Sequence, residues 1–300
     1  MSVISNGFMR FAALTAVALS FGIGVAWAET VEKLPDTSRV VSVGGAVTEI
    51  VYALGAEKML VARDQTSLYP KEVQALPDVG YMRRLAPEGV LSVNPSGILL
   101  VEGSGPPDTL EVLKKATVPM VIIPEKFDRN GVIAKIDAVG KALGLEDRAK
   151  ALASDVARDL DEAEKLAAGR KHRKRVLFVL SVTGGRLTAS GTGTAADGAI
   201  RLAGAENVIT EYAGYKQLTD EAIEKAAPDV ILMMQGGGDH SANDDILNNP
   251  MIAATPAGRE RNLVRMDALY LLGFGPRTGA AVRELAEKIY DTAPDKQGGQ

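Results

Sequence analysis

The 300-residue sequence has no cysteine, two histidines and one tryptophan. Without cysteine there is no disulfide framework, thiolate zinc site, iron–sulfur cluster or cysteine nucleophile. His172 and His240 are too few for a three-histidine metal centre. Positive charge is also scarce: 34 Lys+Arg against 38 Asp+Glu leave a net charge of -4 and a pI of about 5.4. Nucleic-acid binding leans on clustered positive charge, so no nucleic-acid partner is expected. The main apolar run, Phe11 to Val25, is about 15 residues long, short of the roughly 20 that span a bilayer as a helix. What remains, 46% hydrophobic with 31 Gly and 14 Pro, is the composition of a globular chain of one or two domains.

The amino terminus reads as an address. Arg10 is the only charge before the apolar run, and Ala26-Trp27-Ala28 supplies the small-x-small pattern of a signal-peptidase site. Residues 1–28 are therefore expected to be removed on export, leaving a soluble exported protein. No cysteine stands at the cleavage point to carry a lipid. Trp27 would leave with the leader, so the mature chain would hold no tryptophan.

From Arg39 onward, short β-branched runs alternate with helical stretches. Arg39–Val43, Met59–Arg63, Gly97–Val101 and Pro119–Ile123 read as strands, with helices over Ala46–Leu54, Pro107–Lys115 and Asn130–Leu143. The pattern resumes with strands at Arg175–Ser181, Asp229–Met233 and Asn262–Met266 and ends in a helix near Arg277–Tyr290. Such alternation predicts an α/β fold with parallel-rich sheets. Between the halves, Leu145–Ala168 contains no Gly or Pro and places Leu145, Ala149, Leu152, Val156, Leu160, Ala163 and Ala167 on one helical face. At 1.5 Å per residue this is a rod of roughly 36 Å. The expected organisation is a first lobe (29–143), a linking helix (144–171), a second lobe (172–293) and a tail (294–300).

The halves repeat one another. Glu88-Gly89-Val90, then Pro95 and Gly97-Ile98-Leu99-Leu100, matches Glu221-Ala222-Ile223, then Pro228 and Val230-Ile231-Leu232-Met233. Each copy reads as a short helix opened by a carboxylate, a proline break and a buried strand. The helix dipole alone favours an acid in a first turn. Two at equivalent places also make a matched pair of acidic knobs suited to a symmetric partner.

Arg63-Asp64-Gln65-Thr66-Ser67-Leu68-Tyr69-Pro70 leaves a strand and enters a helix. Pro70 suits a first helical position, whose N–H is unpaired in any case. That puts Tyr69 at the cap, beyond the carboxyl end of a strand, where open α/β sheets present ligands.

This motif and Asp78-Val79-Gly80-Tyr81-Met82-Arg83 resemble the periplasmic hemin-binding proteins of ABC-type importers. Further matches are Thr194-Ala195-Ala196-Asp197-Gly198-Ala199-Ile200, Thr255-Pro256-Ala257-Gly258-Arg259 and Leu271-Leu272-Gly273-Phe274-Gly275-Pro276-Arg277-Thr278. The likeness runs from about Arg39 to about Tyr290. It implies two Rossmann-like lobes joined by one long rigid helix, a ligand cleft between them, and Tyr69 as the axial ligand to haem iron. It also implies that Glu88 and Glu221 dock on a homodimeric permease with its ATPase subunits. The carrier would act as a monomer, downstream of an outer-membrane hemin receptor.

The chemistry agrees with this assignment. Phenolate is a hard anionic donor suited to ferric iron, and tyrosine ligation of haem is known elsewhere. Arg83 is the leading cation, either for the phenolate oxygen or for a haem propionate. Some members of the family carry a histidine just before the Gly-Gly of the second half, where this sequence has Thr183. Arg186 and Arg277 are further propionate candidates, although Arg277 equally suits the start of the last helix. His240, in Gly236-Gly237-Gly238-Asp239-His240, is a candidate second ligand or a surface histidine. The alternative cargo is a ferric siderophore or cobalamin, whose carriers share the two-lobed plan. Sugar binding is disfavoured because no tryptophan is left to stack on a ring. An enzyme is not expected: there is no Gly-x-Ser-x-Gly elbow, and the glycine-rich segments lack the dinucleotide fingerprint.

Overall fold

The β-branched runs pair as strands. In the computed structural model, which describes residues 33–168, 172–235 and 246–290, the first half holds Val40–Val43 (β1), Leu60–Arg63 (β2), Gly97–Val101 (β3) and Met120–Ile123 (β4). They form one sheet in the order β2-β1-β3-β4, every pairing parallel. All residues of β1 and β3 are buried, as their uninterrupted apolar character requires of parallel strands covered on both faces. Helices Gly45–Ala53 (α1), Pro87–Leu91 (α2), Pro107–Lys115 (α3) and Arg129–Leu143 (α4) complete this half. The ends of α4 are chemically marked. The Asp128 carboxylate accepts the Gly131 N–H at 2.7 Å, and Gly144 closes the helix at φ 70°.

The long helix, Glu146–Ala168 (α5), buries Ala149, Val156, Leu160 and Ala163 of the expected stripe together with Ala153, while Leu152 and Ala167 are half-buried and Leu145 stands just before the helix, also half-buried. Two glycines set how closely it is approached. A Cβ on Gly140 of α4 would lie 2.2 Å from the Ala149 Cβ, and one on Gly279 would lie 2.6 Å from the Asp159 Cβ. Gly279 belongs to Thr278–Tyr290 (α11), so α5 packs tightly on a helix from each half.

The second sheet contains Arg175–Thr183 (β5), Arg186–Ser190 (β6), Glu206–Asn207 (β7), Tyr215–Gln217 (β8), Val230–Gln235 (β9) and Leu263–Asp267 (β10). Its order is β10-β9-β5-β6-β8, with β7 also on β5. The β10, β9 and β5 pairings are parallel, as expected, and so is that of the unforeseen two-residue β7 with β5. The antiparallel additions β6 and β8 were not anticipated. Their cause is local: Gly184 and Gly185 both have positive φ (57° and 77°), the conformation of a two-residue hairpin whose twist matches its strands. Helices Ala195–Leu202 (α6), Asp220–Ala226 (α7), Pro250–Ala253 (α8), Pro256–Glu260 (α9) and Ala268–Leu272 (α10) precede α11. The two-half α/β architecture is thus as the sequence implied. No described helix is long and apolar enough to cross a membrane. The expected leader (1–28), the tail (294–300) and His240 lie outside the described residues.

The internal repeat is structural. Pro87 opens α2 with Glu88 in its first turn, and α7 has Asp220 and Glu221 in its first turn beneath a Thr219 cap. Both glutamates are exposed.

One apolar cluster runs through both halves, taking in Val40 and Leu99 of the first sheet, Phe178 and Leu232 of the second, and Leu160 of α5. Among the buried charges one links the two halves. Lys135 on α4 is completely buried; its ammonium pairs with Glu125 and donates to the Phe274 carbonyl of the second half at 3.1 Å. Burial lowers the Lys135 pKa and raises that of Glu125, in each case against the pull of the partner charge. Removing one member leaves the other uncompensated. Lys135→Met is expected to cost about 3 kcal/mol in chemical denaturation, most of it recovered in Lys135→Met/Glu125→Leu.

Candidate ligand-binding site

The loop after β2 is organised by one buried carboxylate. Asp64, with no exposed surface, accepts the Gly44 N–H at 3.0 Å and the Ser67 hydroxyl at 2.7 Å on Oδ1. Its Oδ2 accepts the Thr66 N–H at 3.0 Å and the Thr66 hydroxyl at 2.7 Å. The Thr66 hydroxyl accepts the Gly45 N–H at 3.0 Å, and Thr48 shares hydrogen bonds of 2.7 Å with Ser67 and with Ser42. Asp64, Thr66 and Ser67 therefore brace the loop against the start of α1. The side chains that follow are displayed: Leu68 is 49% and Tyr69 43% exposed. Pro70 differs slightly from expectation. It caps a short 3-10 turn over Lys71–Ala75 with an extended ψ of 169°, and its carbonyl accepts the Val73 N–H. Tyr69 thus stands one residue before the cap, and the Tyr69–Pro70 peptide is cis.

Tyr69 is covered from the other half. The Arg277 guanidinium lies 3.6 Å from the Tyr69 ring centroid and 5.1 Å from that of Tyr270. Its Nε and Nη2 each donate at 2.9 Å to the carboxylate of Glu49 on α1, a side chain only 7% exposed. This is the planar fork that arginine offers a carboxylate, with a π face as a third neighbour. Burial works against the Arg277 charge. The hydrogen bonds and charge of Glu49, aided by Tyr69 and Asp267, outweigh it, so its pKa lies above the ordinary arginine value. The Tyr270 phenol is pushed up by burial and by Glu284, while Arg277 and Arg283 pull the other way.

The other candidates are distributed as follows. Arg83 is exposed, and its charge is felt by Tyr215 on β8. The Tyr215 phenol is raised by burial, against a hydrogen bond to Thr194 and the Arg83 charge. Thr183 and Arg186 are both exposed and pair across the β5–β6 hairpin. The Gly-Gly between them is the hairpin turn itself, with Gly185 accepting a hydrogen bond from Asn249 at 3.2 Å. Tyr69 and Arg277 are therefore in contact, the Arg83 charge reaches Tyr215, and Thr183 and Arg186 share one turn. Glu49, Tyr215 and Tyr270 escaped the sequence reading. Glu49 carried one available signal, a lone acid in the apolar stretch Gly44–Val51. Among the described residues, no three or more His, Cys, Asp or Glu gather to hold a metal ion.

An exposed phenol on a braced loop, held between two α/β halves, is the arrangement of a binding protein. The chain belongs to the Periplasmic binding protein family, whose model matches residues 40–270. It is 41% identical to the periplasmic heme-binding protein BhuT in complex with two hemes, with a TM-score of 0.80, covering 84% of this chain and 98% of that one. With the periplasmic heme-binding protein RhuT from Roseiflexus sp. RS-1 in apo form it shares 37% identity and a TM-score of 0.81, over 85% and 99% of the two chains. It is also 28% identical over 270 residues to YvrC of Bacillus subtilis (strain 168), an uncharacterized ABC transporter substrate-binding lipoprotein, covering 87% of this chain and 82% of YvrC. A vitamin B12-binding protein of Pectobacterium carotovorum subsp. carotovorum (strain PC1) is 22% identical, over 85% of this chain and 90% of that protein. The family is one of transport-associated substrate-binding proteins, not enzymes.

The brace makes a direct prediction. Asp64→Ala strips buried donors of a charged acceptor and should cost about 3 kcal/mol in urea denaturation.

Proposed function

We propose that this protein captures haem in the periplasm through a bond from the Tyr69 phenolate to ferric iron and delivers it to an inner-membrane ABC importer. The observation that carries this reading is the display of Tyr69: its loop is fixed by Asp64, its ring is covered by Arg277, and 43% of its surface is still open. A phenolate is a hard anionic donor that suits Fe(III), and tyrosine serves as a haem ligand elsewhere. The heme-binding relatives at 41% and 37% identity support the same cargo.

Arg83, exposed on the Tyr215 side, supplies a cation for a haem propionate. Thr183 and Arg186 are further contacts on the opposite half, and His240 is a further candidate from its place in the sequence. Arg277 acts on Tyr69 itself, since its fork is already engaged by Glu49. Export follows from the leader at residues 1–28, cleaved after Ala28. The mature monomer receives haem from an outer-membrane receptor system upstream. Glu88 and Glu221, exposed in matched first turns, meet the two subunits of a homodimeric permease that works with ATPase subunits. Cobalamin is the second reading, supported by vitamin B12-binding relatives at lower identity; a ferric siderophore is a third cargo suited to the same two-half plan.

Titration of the purified protein with hemin should give a strong Soret band and a phenolate-to-iron charge-transfer band. In Tyr69→Phe the charge-transfer band disappears and affinity falls by at least tenfold. Binding of cobalamin in preference to hemin would transfer the assignment to the second reading. In proteoliposomes carrying the importer, Glu88→Ala/Glu221→Ala should abolish haem uptake while hemin affinity stays at the wild-type value.

A further inference from the structure

The Arg277 fork raises the question of what Glu49 is for. It is a carboxylate on an otherwise apolar stretch of α1, 6% exposed, where Ala46, Val47, Ile50 and Val51 are buried around it. An apolar side chain there would satisfy packing without the cost of desolvating a charge, which a buried ion pair repays only with good geometry. The geometry is good: two bonds of 2.9 Å from one guanidinium. Such a bidentate pair sets the orientation of the guanidinium plane as well as its position.

The backbone on either side of Arg277 is independently fixed. The Phe274 carbonyl accepts from buried Lys135 at 3.1 Å, and the Phe274 ring meets Phe127 edge-on at 5.3 Å. The Gly275 carbonyl accepts the Thr278 hydroxyl at 2.7 Å. A Cβ at Gly275 would stand 3.4 Å from Ala46 and 3.7 Å from the Glu49 carboxyl carbon, so the loop lies directly against α1. With the loop held at these points, the long Arg277 side chain keeps its own rotational freedom until Glu49 removes it. Glu49 and Tyr69 belong to the first half and Arg277 to the second, so one guanidinium bridges both halves at the ligand-bearing ring.

We propose that Glu49 is a positioning residue for haem capture: by fixing the Arg277 fork it holds the guanidinium on the face of Tyr69, and so sets the aim of the phenol oxygen. The inference rests on the reading of Tyr69 as the iron ligand. Arg277 contributes a cation–π contact that steadies the ring. It also places a positive charge beside the anionic oxygen once that oxygen has bonded to iron. Glu49 itself touches neither haem nor iron.

The test is a hemin titration of wild type, Tyr69→Phe, Glu49→Gln and Arg277→Lys, each read for dissociation constant and for the energy of the phenolate-to-iron charge-transfer band, with thermal unfolding alongside. Glu49→Gln keeps the size of the side chain but loses the charged fork; Arg277→Lys keeps the charge but loses the plane. Both are expected to shift the band and to weaken hemin binding about tenfold, within the range of a partly desolvated cation–π contact. If Glu49→Gln fails to fold, Arg277→Lys carries the same readings. Wild-type affinity and band in the folded variants, with the band lost in Tyr69→Phe, would overturn the role of Glu49 and leave the haem reading standing. A lowered unfolding temperature with an unshifted band would likewise reduce Glu49 to a structural ion pair. A band that survives in Tyr69→Phe would remove the iron ligand itself, and the inference with it.

Discussion

The contact between Arg277 and Glu49 is where the two halves of this molecule acquire a common chemistry. Each half is an α/β unit that makes sense by itself, with parallel strands at its centre and helices outside. An exposed phenol at the end of a strand belongs to the first half alone. Only when a guanidinium from the second half is forked by a first-half carboxylate at 2.9 Å does that phenol gain an environment specified from both sides. Glu49 is nearly excluded from water and Arg277 is partly so, so the pair is less screened than surface pairs such as Lys114–Glu111.

Around that contact the sequence divides its polar residues between two tasks. Asp64, Thr66, Ser67 and Thr48 are buried or half-buried and are spent on one another and on the backbone of Gly44 and Gly45. Leu68 and Tyr69 are left outside this network and stay open. A motif that looks like a cluster of ligand-binding groups is thus mostly scaffold, with Tyr69 as the group it presents. The same economy explains the Gly184-Gly185 turn. Its glycines are required by positive φ in the hairpin, and the exposed residues beside them, Thr183 and Arg186, are what the turn displays.

Much of the frame was legible in the sequence because it rests on local signals. β-branched runs mark β1 to β5, β9 and β10; a gap in glycine and proline marks α5; and proline followed by an acid marks α2. The repeated Glu–Pro spacing placed both acids correctly in first turns. The antiparallel strands β6 and β8 were not legible, since their residues Arg186–Ser190 and Tyr215–Gln217 lack a long apolar run and are defined by their pairing. At the site, Tyr69 stood out through its motif and Arg277 through its loop. Their contact joins residues distant in the chain, and the part of Glu49 depends on a partner 228 positions away; neither leaves a local trace. The pull of the Arg83 charge on Tyr215 is of the same non-local kind.

The glycine seams of α5 carry a mechanical meaning. At Gly140 and Gly279 the neighbouring helices meet it almost backbone to backbone, and such seams have no long side chains that could slide or change rotamer to accommodate shear. Two halves mounted on one stiff axle resist sliding past one another along it.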